Sequence, residues 1–379
     1  MNLYDCIVVG AGPAGASAAY HLSKQGHSVL LLEKASLPRY KPCGGGVSPQ
    51  VAQWFDFDFE PVISQKVTHA RYTWNKGDAI EVALDRPIWM VRRNEFDHYL
   101  VQQAQRVGAQ LRDRTKVTGI EWIGPQKRWR IHVSTGETVE GTYVIAADGG
   151  RGPMAKWLGF ENRKHSIAGA IEIEPKVPVE NGHVVHFEFG LLKNGYVWNF
   201  PKADGYSIGS GVFRTNRRKG NDLVQPMVDY AEAFGVKGNH EQKFGHPVYI
   251  WQGDQRLHTQ NAVLAGEAAC VVDPLTAEGI RPSMLTGVRA AEAIDRALGG
   301  DEAALAGYTR AIASEIGSEM KLATRLAQAF YLAPHFSYRT IMQQPSATRA
   351  MVKIFSGELK YADMAQKALR QLSGGLLAR

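Results

Sequence analysis

Short apolar runs, separated by a glycine-rich turn and a helical stretch, open the chain. Residues 4–9 are apolar in the manner of a buried parallel strand, and residues 28–32 predict a second one. Between them, residues 10–15 hold three glycines, and the alanine-rich residues 16–25 predict a helix that begins at Ala16. The order is a strand–helix–strand unit within roughly 30 residues.

The same pattern returns twice farther along the chain, with strand-rich segments in between. Apolar runs at 143–147 and 262–265 predict further buried strands. Alternating apolar and polar positions at 68–84 predict antiparallel strands, and residues 168–212 are also rich in predicted strands. Pieces of one parallel sheet therefore enclose other structure, and we predict an α/β protein with two interleaved domains. The predicted segments are 1–66, 90–165 and 256–325 for a Rossmann-type nucleotide domain, 67–89 and 166–255 for an antiparallel β-sheet substrate domain, and 326–379 for C-terminal helices.

Composition places the chain among reduced, globular proteins. Its 379 residues are 44% hydrophobic, which suffices for one large core or two coupled ones. The three cysteines, Cys6, Cys43 and Cys270, are too few and too scattered for a disulfide framework or a zinc site. We therefore expect a cytoplasmic protein with no metal site, and we place Cys6 in the core.

The charge of the chain leaves two interpretations open. The net charge of +7 fits a basic enzyme that binds a pyrophosphate-bearing cofactor, or one attracted to an anionic membrane or a phosphate-bearing substrate. The basic cluster Arg214, Arg217, Arg218 and Lys219 is a solvated loop in the first case and a peripheral membrane contact in the second. No apolar stretch reaches the ~18 residues of a membrane span, so we expect no transmembrane helix. The apolar N-terminus opens the glycine motif and lacks a basic lead and a small-residue cleavage site, so we expect no signal peptide. We expect no nucleic-acid partner.

Three glycines at the first strand–helix junction favour binding of a dinucleotide. Gly10 permits a tight turn, Gly12 lets the backbone approach a pyrophosphate, and Gly15 lets the helix pack closely on the strand. The helix start supplies unpaired N–H groups, and Glu33, at the end of the second strand, suits a ribose hydroxyl. An acid there favours FAD or NAD over a cofactor with a 2′-phosphate. The predicted contacts of this unit are Gly10, Gly12, Pro13, Ala14, Gly15, Glu33 and Lys34.

Two later junctions again combine a carboxylate with glycine after a buried strand. Asp148-Gly149 follows one such strand and Gly266-Glu267 follows the other. A carboxylate at the end of a strand, followed by glycines and a helix start, suits ribityl and pyrophosphate contacts. The predicted contacts here are Asp148, Gly149, Gly266, Glu267, Pro274, Gly279 and Ile280.

Taken together, the three motifs resemble the flavoprotein hydroxylase superfamily, which implies that the dinucleotide is FAD. The third motif of that superfamily normally reads Gly-Asp, so Glu267 is a departure that keeps the carboxylate on a longer side chain. Residues 93–97 match the Arg-x-x-Phe-Asp element of the superfamily, which implies that Arg93 contacts the flavin. The alternative for Arg93 is a surface arginine at the N-terminus of a helix.

Two further segments resemble the geranylgeranyl reductase family within that superfamily. One is residues 41–48, where Cys43 precedes three glycines. The other, at 196–211, is the complete pattern Tyr-x-Trp-x-Phe-Pro, seven residues, Gly-x-Gly. The resemblance implies a reductase that saturates isoprenoid double bonds with reduced FAD. The substrate contacts that it implies are Tyr196, Trp198, Phe200, Gly209 and Gly211.

The chemistry of these residues agrees with the resemblance. Tyr196, Trp198 and Phe200 alternate along a predicted strand and share one face, which suits an apolar polyene chain; the alternative is packing between sheets. The flavin contacts predicted next to Cys43 are Gly44 and Gly45, since a backbone without side chains can approach the ring closely. Cys43 itself is a candidate proton donor, redox thiol, flavin contact or small packing residue.

The reaction that the resemblance implies is hydride transfer from the flavin to one alkene carbon, with a proton reaching the other carbon from solvent or Cys43. The alternatives are a flavin monooxygenase, a flavin-dependent halogenase or a quinone-linked electron-transfer flavoprotein. No second GxGxxG motif is present, so the external electron donor is either transiently bound NADPH or a ferredoxin-like protein. The C-terminal helices cap the substrate tunnel, touch a membrane or pack a dimer, and the sequence favours none of these.

Overall fold

The computed structural model describes residues 3–213, 222–237 and 242–366. The basic cluster Arg214, Arg217, Arg218 and Lys219 lies outside these residues. The strands, in chain order, are β1 Leu3–Val9, β2 Val29–Leu32, β3 Gly46–Val47, β4 Gln65–Trp74, β5 Gly77–Met90, β6 Gln110–Arg112, β7 Val117–Ile123, β8 Arg128–Val133, β9 Thr138–Ala146, β10 His165–Ile173, β11 Val184–Phe189, β12 Gly195–Lys202, β13 Gly205–Val212, β14 Phe244–Trp251, β15 His258–Thr259 and β16 Ala262–Leu264.

The first sheet has the strand order β15-β16-β9-β1-β2-β6. From β16 to β6 every neighbouring pair is parallel, so the carboxyl ends of these strands share one edge. β7 and β8 continue the sheet from β9 as an antiparallel meander. The central strand β1 is buried, with Cys6, Ile7 and Val8 all 0% exposed, which explains its continuous apolar run and confirms Cys6 as a core residue.

The second sheet has the strand order β14-β10-β13-β12-β11-β4-β5-β3. Its pairs are antiparallel except β11–β4, which is parallel. The register of β12 and β13 places Tyr196 opposite Gly211 and Trp198 opposite Gly209. Because glycine has no side chain, β13 leaves room beside two large aromatic residues.

The helices pack on both sheets. Their bounds are α1 Pro13–Lys24, α2 Arg93–Arg106, α3 Met154–Trp157, α4 Val224–Ala231, α5 Ile280–Leu298, α6 Ala304–Ile312, α7 Ser318–Leu332, α8 Pro334–Ser337 and α9 Pro345–Phe355. A π-helical segment, Tyr338–Met342, follows α8. α5 crosses the start of α1 closely, since a Cβ on Gly287 would lie 2.2 Å from the carbonyl oxygen of Ala14. Within the described ranges, no helix is both long and apolar enough to cross a membrane.

The predicted fold class is confirmed: a Rossmann-type parallel sheet, a largely antiparallel second sheet and C-terminal helices are all present. One element differs, because α1 begins at Pro13 rather than at Ala16. Gly12 is the N-cap, and proline suits the first helical position since its missing N–H would have no intrahelical partner there. The domain boundaries stay a prediction.

Candidate cofactor and substrate site

A cavity of about 1010 Å³ lies at the carboxyl edge of the parallel strands and is lined by residues of both sheets. Open parallel sheets bind their ligands at this edge. The predicted site residues that line it are Gly10, Gly12, Pro13, Ala14, Glu33, Lys34, Cys43, Gly44, Gly45, Arg93, Asp148, Gly149, Tyr196, Trp198, Phe200, Gly211, Gly266, Glu267, Gly279 and Ile280.

Gly15, Gly209 and Pro274 do not line the cavity. A Cβ on Gly15 would lie 1.9 Å from the carbonyl oxygen of Gly10, so this glycine allows α1 to pack against the turn. A Cβ on Gly209 would lie 2.0 Å from Cζ2 of Trp198, so this glycine makes room for the indole. Pro274 is buried. Gly15 and Gly209 thus have packing roles, and contacts of these three residues with a cofactor or substrate stay a prediction.

The glycine turn after β1 is closed on one side and open on the other. Gly10 has φ +103°, and a Cβ there would lie 2.4 Å from the carbonyl oxygen of Ala147. At Gly12, by contrast, the nearest atom to a Cβ is a guanidinium nitrogen of Arg39, at 3.7 Å. The turn thus leaves space in front of the N-terminus of α1, with a cation beside it, which suits an anionic group.

Backbone and guanidinium donors hold the Glu33 carboxylate, which is 4% exposed. Its two oxygens accept hydrogen bonds from the N–H groups of Ala11, at 2.9 Å, and Ala35, at 3.0 Å. The Arg39 guanidinium lies 3.5 Å from Glu33 and 3.1 Å from Asp97. Glu33 is therefore fixed at the end of β2, facing the cavity.

Arg93 is buried, not a surface residue, although it begins a helix. It is 8% exposed and donates two parallel hydrogen bonds of 2.8 Å to Asp97. Burial lowers the pKa of Arg93, but the Asp97 carboxylate outweighs this effect and holds the pKa above its ordinary value. The i, i+4 spacing of this pair fixes the guanidinium at the cavity wall.

Asp148 carries a carboxylate oxygen that lacks a partner. Its Oδ2 accepts a hydrogen bond of 3.0 Å from the N–H of Met154, whereas the buried Oδ1 has no donor among the described residues. Burial raises the pKa of Asp148 to about 6. The next residue, Gly149, has φ +81° and no atom within 4 Å of a would-be Cβ. A ligand hydroxyl in this open space would satisfy Oδ1.

Glu267 is bound to the second sheet. It accepts a hydrogen bond of 3.0 Å from the N–H of Tyr249, and its other oxygen lies 3.5 Å from Nε2 of His246. The ammonium of Lys41 lies 3.0 Å from the same histidine nitrogen. Burial raises the pKa of Glu267, but His246 and Lys41 lower it below its ordinary value. The extra methylene of Glu267 relative to Asp thus reaches β14, and its ribityl contact stays a prediction.

The loop at Cys43 is attached to the second sheet through its backbone. The Cys43 N–H donates to Glu172 at 2.8 Å, and the Gly45 N–H donates to the Cys43 sulfur at 3.4 Å. Glu172 is 2% exposed, and burial raises its pKa. A Cβ on Gly44 would lie 2.8 Å from the ring of Phe200. The backbone of this loop therefore lies directly against the aromatic residues of β12.

Lys202 supports the same loop and was not predicted from the sequence. It is 0% exposed, and its ammonium donates to the carbonyl oxygens of Gly44, at 2.6 Å, and Val91, at 3.0 Å. Burial lowers the pKa of Lys202 to about 8. The sequence did hold a signal, because Lys202 continues the period of two that begins at Tyr196 and passes through Phe200.

The aromatic residues of β12 form an apolar wall. The phenol of Tyr196 donates to the carbonyl oxygen of Thr276 at 3.0 Å, and the indole N–H of Trp198 donates to Ser207 at 3.2 Å. Burial raises the pKa of the Tyr196 phenol. Since these polar atoms are bonded to the protein, the rings present apolar faces to the cavity.

Several cavity residues and their partners were missed by sequence reasoning. They are Arg39, Tyr40, Lys41, Asp97, Glu172, Lys202 and His246. Asp97 had a signal, its helical spacing from Arg93. Most of the others form hydrogen bonds with residues far away in the chain, and no local sequence pattern predicts such contacts.

The described residues fit a bound FAD. The open glycines at 12 and 149 leave room for a pyrophosphate and a ribityl chain, and the orphaned oxygen of Asp148 needs a hydroxyl donor. The buried Arg93 guanidinium, paired with Asp97, lies at the same wall. The apolar wall on the opposite side suits a substrate without many polar groups.

Comparison with known proteins agrees with this fit. A digeranylgeranylglycerophospholipid reductase of Methanocaldococcus jannaschii is 27% identical over 365 residues, 91% of this chain and 88% of the relative. A menaquinone reductase of Mycobacterium tuberculosis is 27% identical over 398 residues, 99% of this chain and 96% of the relative.

A solved structure has the same fold. The crystal structure of a geranylgeranyl bacteriochlorophyll reductase-like protein from Thermoplasma acidophilum has a TM-score of 0.78 at 22% identity, covering 94% of this chain and 92% of the other. The resemblance to geranylgeranyl reductases is thereby confirmed, and the chain is an oxidoreductase with FAD as its cofactor. The model of the FAD-binding domain family matches residues 4–218, more than half of the chain, and the protein belongs to that family.

Proposed function

We propose that the protein is an FAD-dependent reductase that saturates C=C bonds of geranylgeranyl-type isoprenoids. The observation that carries this proposal is that one cavity is lined both by the glycine turns that fit FAD and by the apolar wall of Tyr196, Trp198 and Phe200. Gly44, at the junction, lets the backbone lie against Phe200. The name of the digeranylgeranylglycerophospholipid reductase from Methanocaldococcus jannaschii supports the same class of substrate.

The chain's own part in this reaction is binding, positioning and proton delivery. Reduced FAD supplies the hydride that one alkene carbon receives. The wall of β12 holds the polyene and excludes water, while Lys202 and Glu172 fix the loop that carries Cys43. The Cys43 thiol gives its proton to the second carbon and takes another from solvent. Hydride and proton together add two hydrogens across the double bond.

The cofactor contacts are part of the same proposal. The turn at Gly12 holds the pyrophosphate beside Arg39, Glu33 binds a ribose hydroxyl, and Asp148 accepts from the ribityl chain. Arg93 faces the flavin. An external donor, NADPH or a ferredoxin-like protein, supplies the electrons, and the basic net charge of +7 suits an acidic protein donor in a cytoplasmic setting.

An anaerobic single-turnover experiment tests the proposal. The FAD-loaded protein is reduced with dithionite, and geranylgeranyl diphosphate is added. Flavin reoxidation is followed by absorbance, and the mass of the product is measured by mass spectrometry. We expect reoxidation together with a product that gains pairs of hydrogens. Menaquinone and a digeranylgeranylglycerophospholipid serve as second and third substrates, because the relatives carry those names.

Two outcomes would identify a different enzyme. Reoxidation by a quinone without any gain in product mass would indicate an electron-transfer flavoprotein. Substrate-triggered oxygen consumption in air, with an oxygenated or halogenated product, would indicate a monooxygenase or a halogenase.

A further inference from the structure

Three large apolar side chains are exposed between the end of α7 and the π-helical segment that follows α8. Leu332 is 87% exposed, Phe336 69% and Ile341 50%. Single exposed apolar residues are ordinary on protein surfaces, but a group of them marks a binding surface. We call Leu332, Phe336 and Ile341 the α7–α8 patch.

The segment that carries this patch has basic residues and no acidic ones. Residues 320–357 contain no Asp or Glu, and their Lys and Arg residues are Lys321, Arg325, Arg339, Arg349 and Lys353. Lys321 and Lys353 pair with carboxylates elsewhere in the chain. Arg325, Arg339 and Arg349 are exposed and form no ion pair with a described carboxylate. The free charges of this segment are therefore positive, and they attract anionic groups.

The inner side of the same segment covers the aromatic end of the cavity. The ring of Tyr331 lies 5.6 Å from that of Phe213, which lines the cavity, and the ring of Phe330 lies 5.5 Å from that of Phe189. Tyr338 is 0% exposed and packs in the core of the second sheet. Aromatic contacts thus join the inner side of this segment to the cavity wall and the second sheet.

We propose that the α7–α8 patch docks the protein on the surface of an anionic lipid bilayer. Apolar side chains of this kind enter the boundary between headgroups and acyl chains, and arginines beside them bind anionic lipids. A second copy of the chain fits less well, because a twofold contact would bring two faces of the same positive charge together. The docking goes beyond the proposed reaction and does not depend on it.

Vesicle binding tests the proposal directly. The FAD-loaded protein is sedimented with vesicles of equal parts phosphatidylglycerol and phosphatidylcholine, and with vesicles of phosphatidylcholine alone. We expect tighter binding to the anionic vesicles, and added salt should weaken it. Leu332→Ser combined with Phe336→Ser and Ile341→Ser should lower the affinity more than tenfold. Arg339→Gln and Arg349→Gln should each lower it about fivefold.

The matched control moves the same change to another surface. Leu3→Ser with Ile167→Ser removes side chains that are 53% and 46% exposed outside the patch, and this variant should bind vesicles like the wild type. Because all substituted side chains are exposed, the variants should keep the FAD absorbance and the melting temperature of the wild type. The proposal is overturned if the wild type binds neither vesicle, if it binds both equally, or if the patch variant binds as well as the wild type. It is equally overturned if light scattering shows that the patch variant only converts a dimer into a monomer.

Discussion

At the scale of single residues, the buried carboxylate of Asp148 lowers the free energy of unfolding of the FAD-free protein. Its folded pKa of about 6 lies above the ~3.9 of an unfolded chain, so folding penalises the charged form. The penalty is complete above pH ~6 and disappears below ~3.9, where the carboxyl is protonated in both states. Asp148→Asn should therefore stabilise the FAD-free protein by roughly 3 kcal/mol at neutral pH, and this gain should vanish on acidification. Urea unfolding at several pH values measures it.

The same variant should bind FAD about tenfold more weakly, because an amide has one acceptor oxygen in place of two. Glu161→Gln, on the exposed surface, is the control and should change neither property. A stability gain that stayed constant from neutral to acidic pH would show that burial of the Asp148 charge is not its cause.

Cys43 is the residue on which the proposed proton transfer depends. Cys43→Ala removes the thiol and should slow product formation by about 10²–10⁴-fold, the usual contribution of a general acid. Reduction of the flavin by dithionite needs no proton donor at this position and should proceed as in the wild type. Single-turnover kinetics with geranylgeranyl diphosphate separates the two steps. An unchanged rate of saturation would assign the proton to solvent.

Lys202 should matter for cofactor binding because its ammonium holds the loop at Cys43 and Gly44 in place. Lys202→Met leaves the buried carbonyl oxygens of Gly44 and Val91 without a donor, at a cost of about 1–3 kcal/mol for each. We expect a lower free energy of unfolding and a weaker FAD affinity, measured by urea titration and flavin fluorescence. Lys176→Met is the control, since the Lys176 side chain is 79% exposed. Equal effects of the two substitutions would refute the role of Lys202.

At the scale of elements, β12 and β13 must fit as a pair for the aromatic wall to form. Gly209→Ala places a Cβ 2.0 Å from the Trp198 indole and should cost about 1–3 kcal/mol through overpacking. Gly211→Ala, on the same strand, places its Cβ 3.6 Å from that ring, which is ordinary contact. It should therefore be tolerated. Thermal unfolding of the two variants gives the comparison, and equal losses would contradict it.

Elements also show what a sequence can and cannot predict. Apolar runs predicted β1, β2, β9 and β16 because a buried parallel strand carries its signal locally. The start of α1 was placed too late because the glycine motif was treated as a turn, although Gly12 caps the helix and Pro13 begins it. The parallel pairing of β4 with β11 had no local signal at all.

At the scale of the whole molecule, the interleaving of the two sheets was predictable from the sequence. Of the site, only the residues at the ends of the parallel strands were predictable. The order of strand types along the chain required the parallel sheet to enclose the other one. The contacts of Cys43 with Glu172 and of Lys202 with Gly44 join residues more than a hundred positions apart. Such contacts depend on how the two sheets pack against each other, and the sequence carries no local pattern for this packing.

The position of the cavity predicts how FAD should affect the stability of the molecule. Residues of both sheets line the cavity, so bound FAD should stabilise both at once, by roughly 2.7 kcal/mol when free FAD is about 100 times its Kd. Circular dichroism reports the unfolding of all strands and helices. Tryptophan fluorescence reports the second sheet as well, through Trp74 and Trp198. Both probes should report one unfolding transition that moves to higher denaturant on adding FAD. Two transitions, of which FAD moved only one, would mean that the cofactor is held by the parallel sheet alone, and that the apolar wall does not close over it.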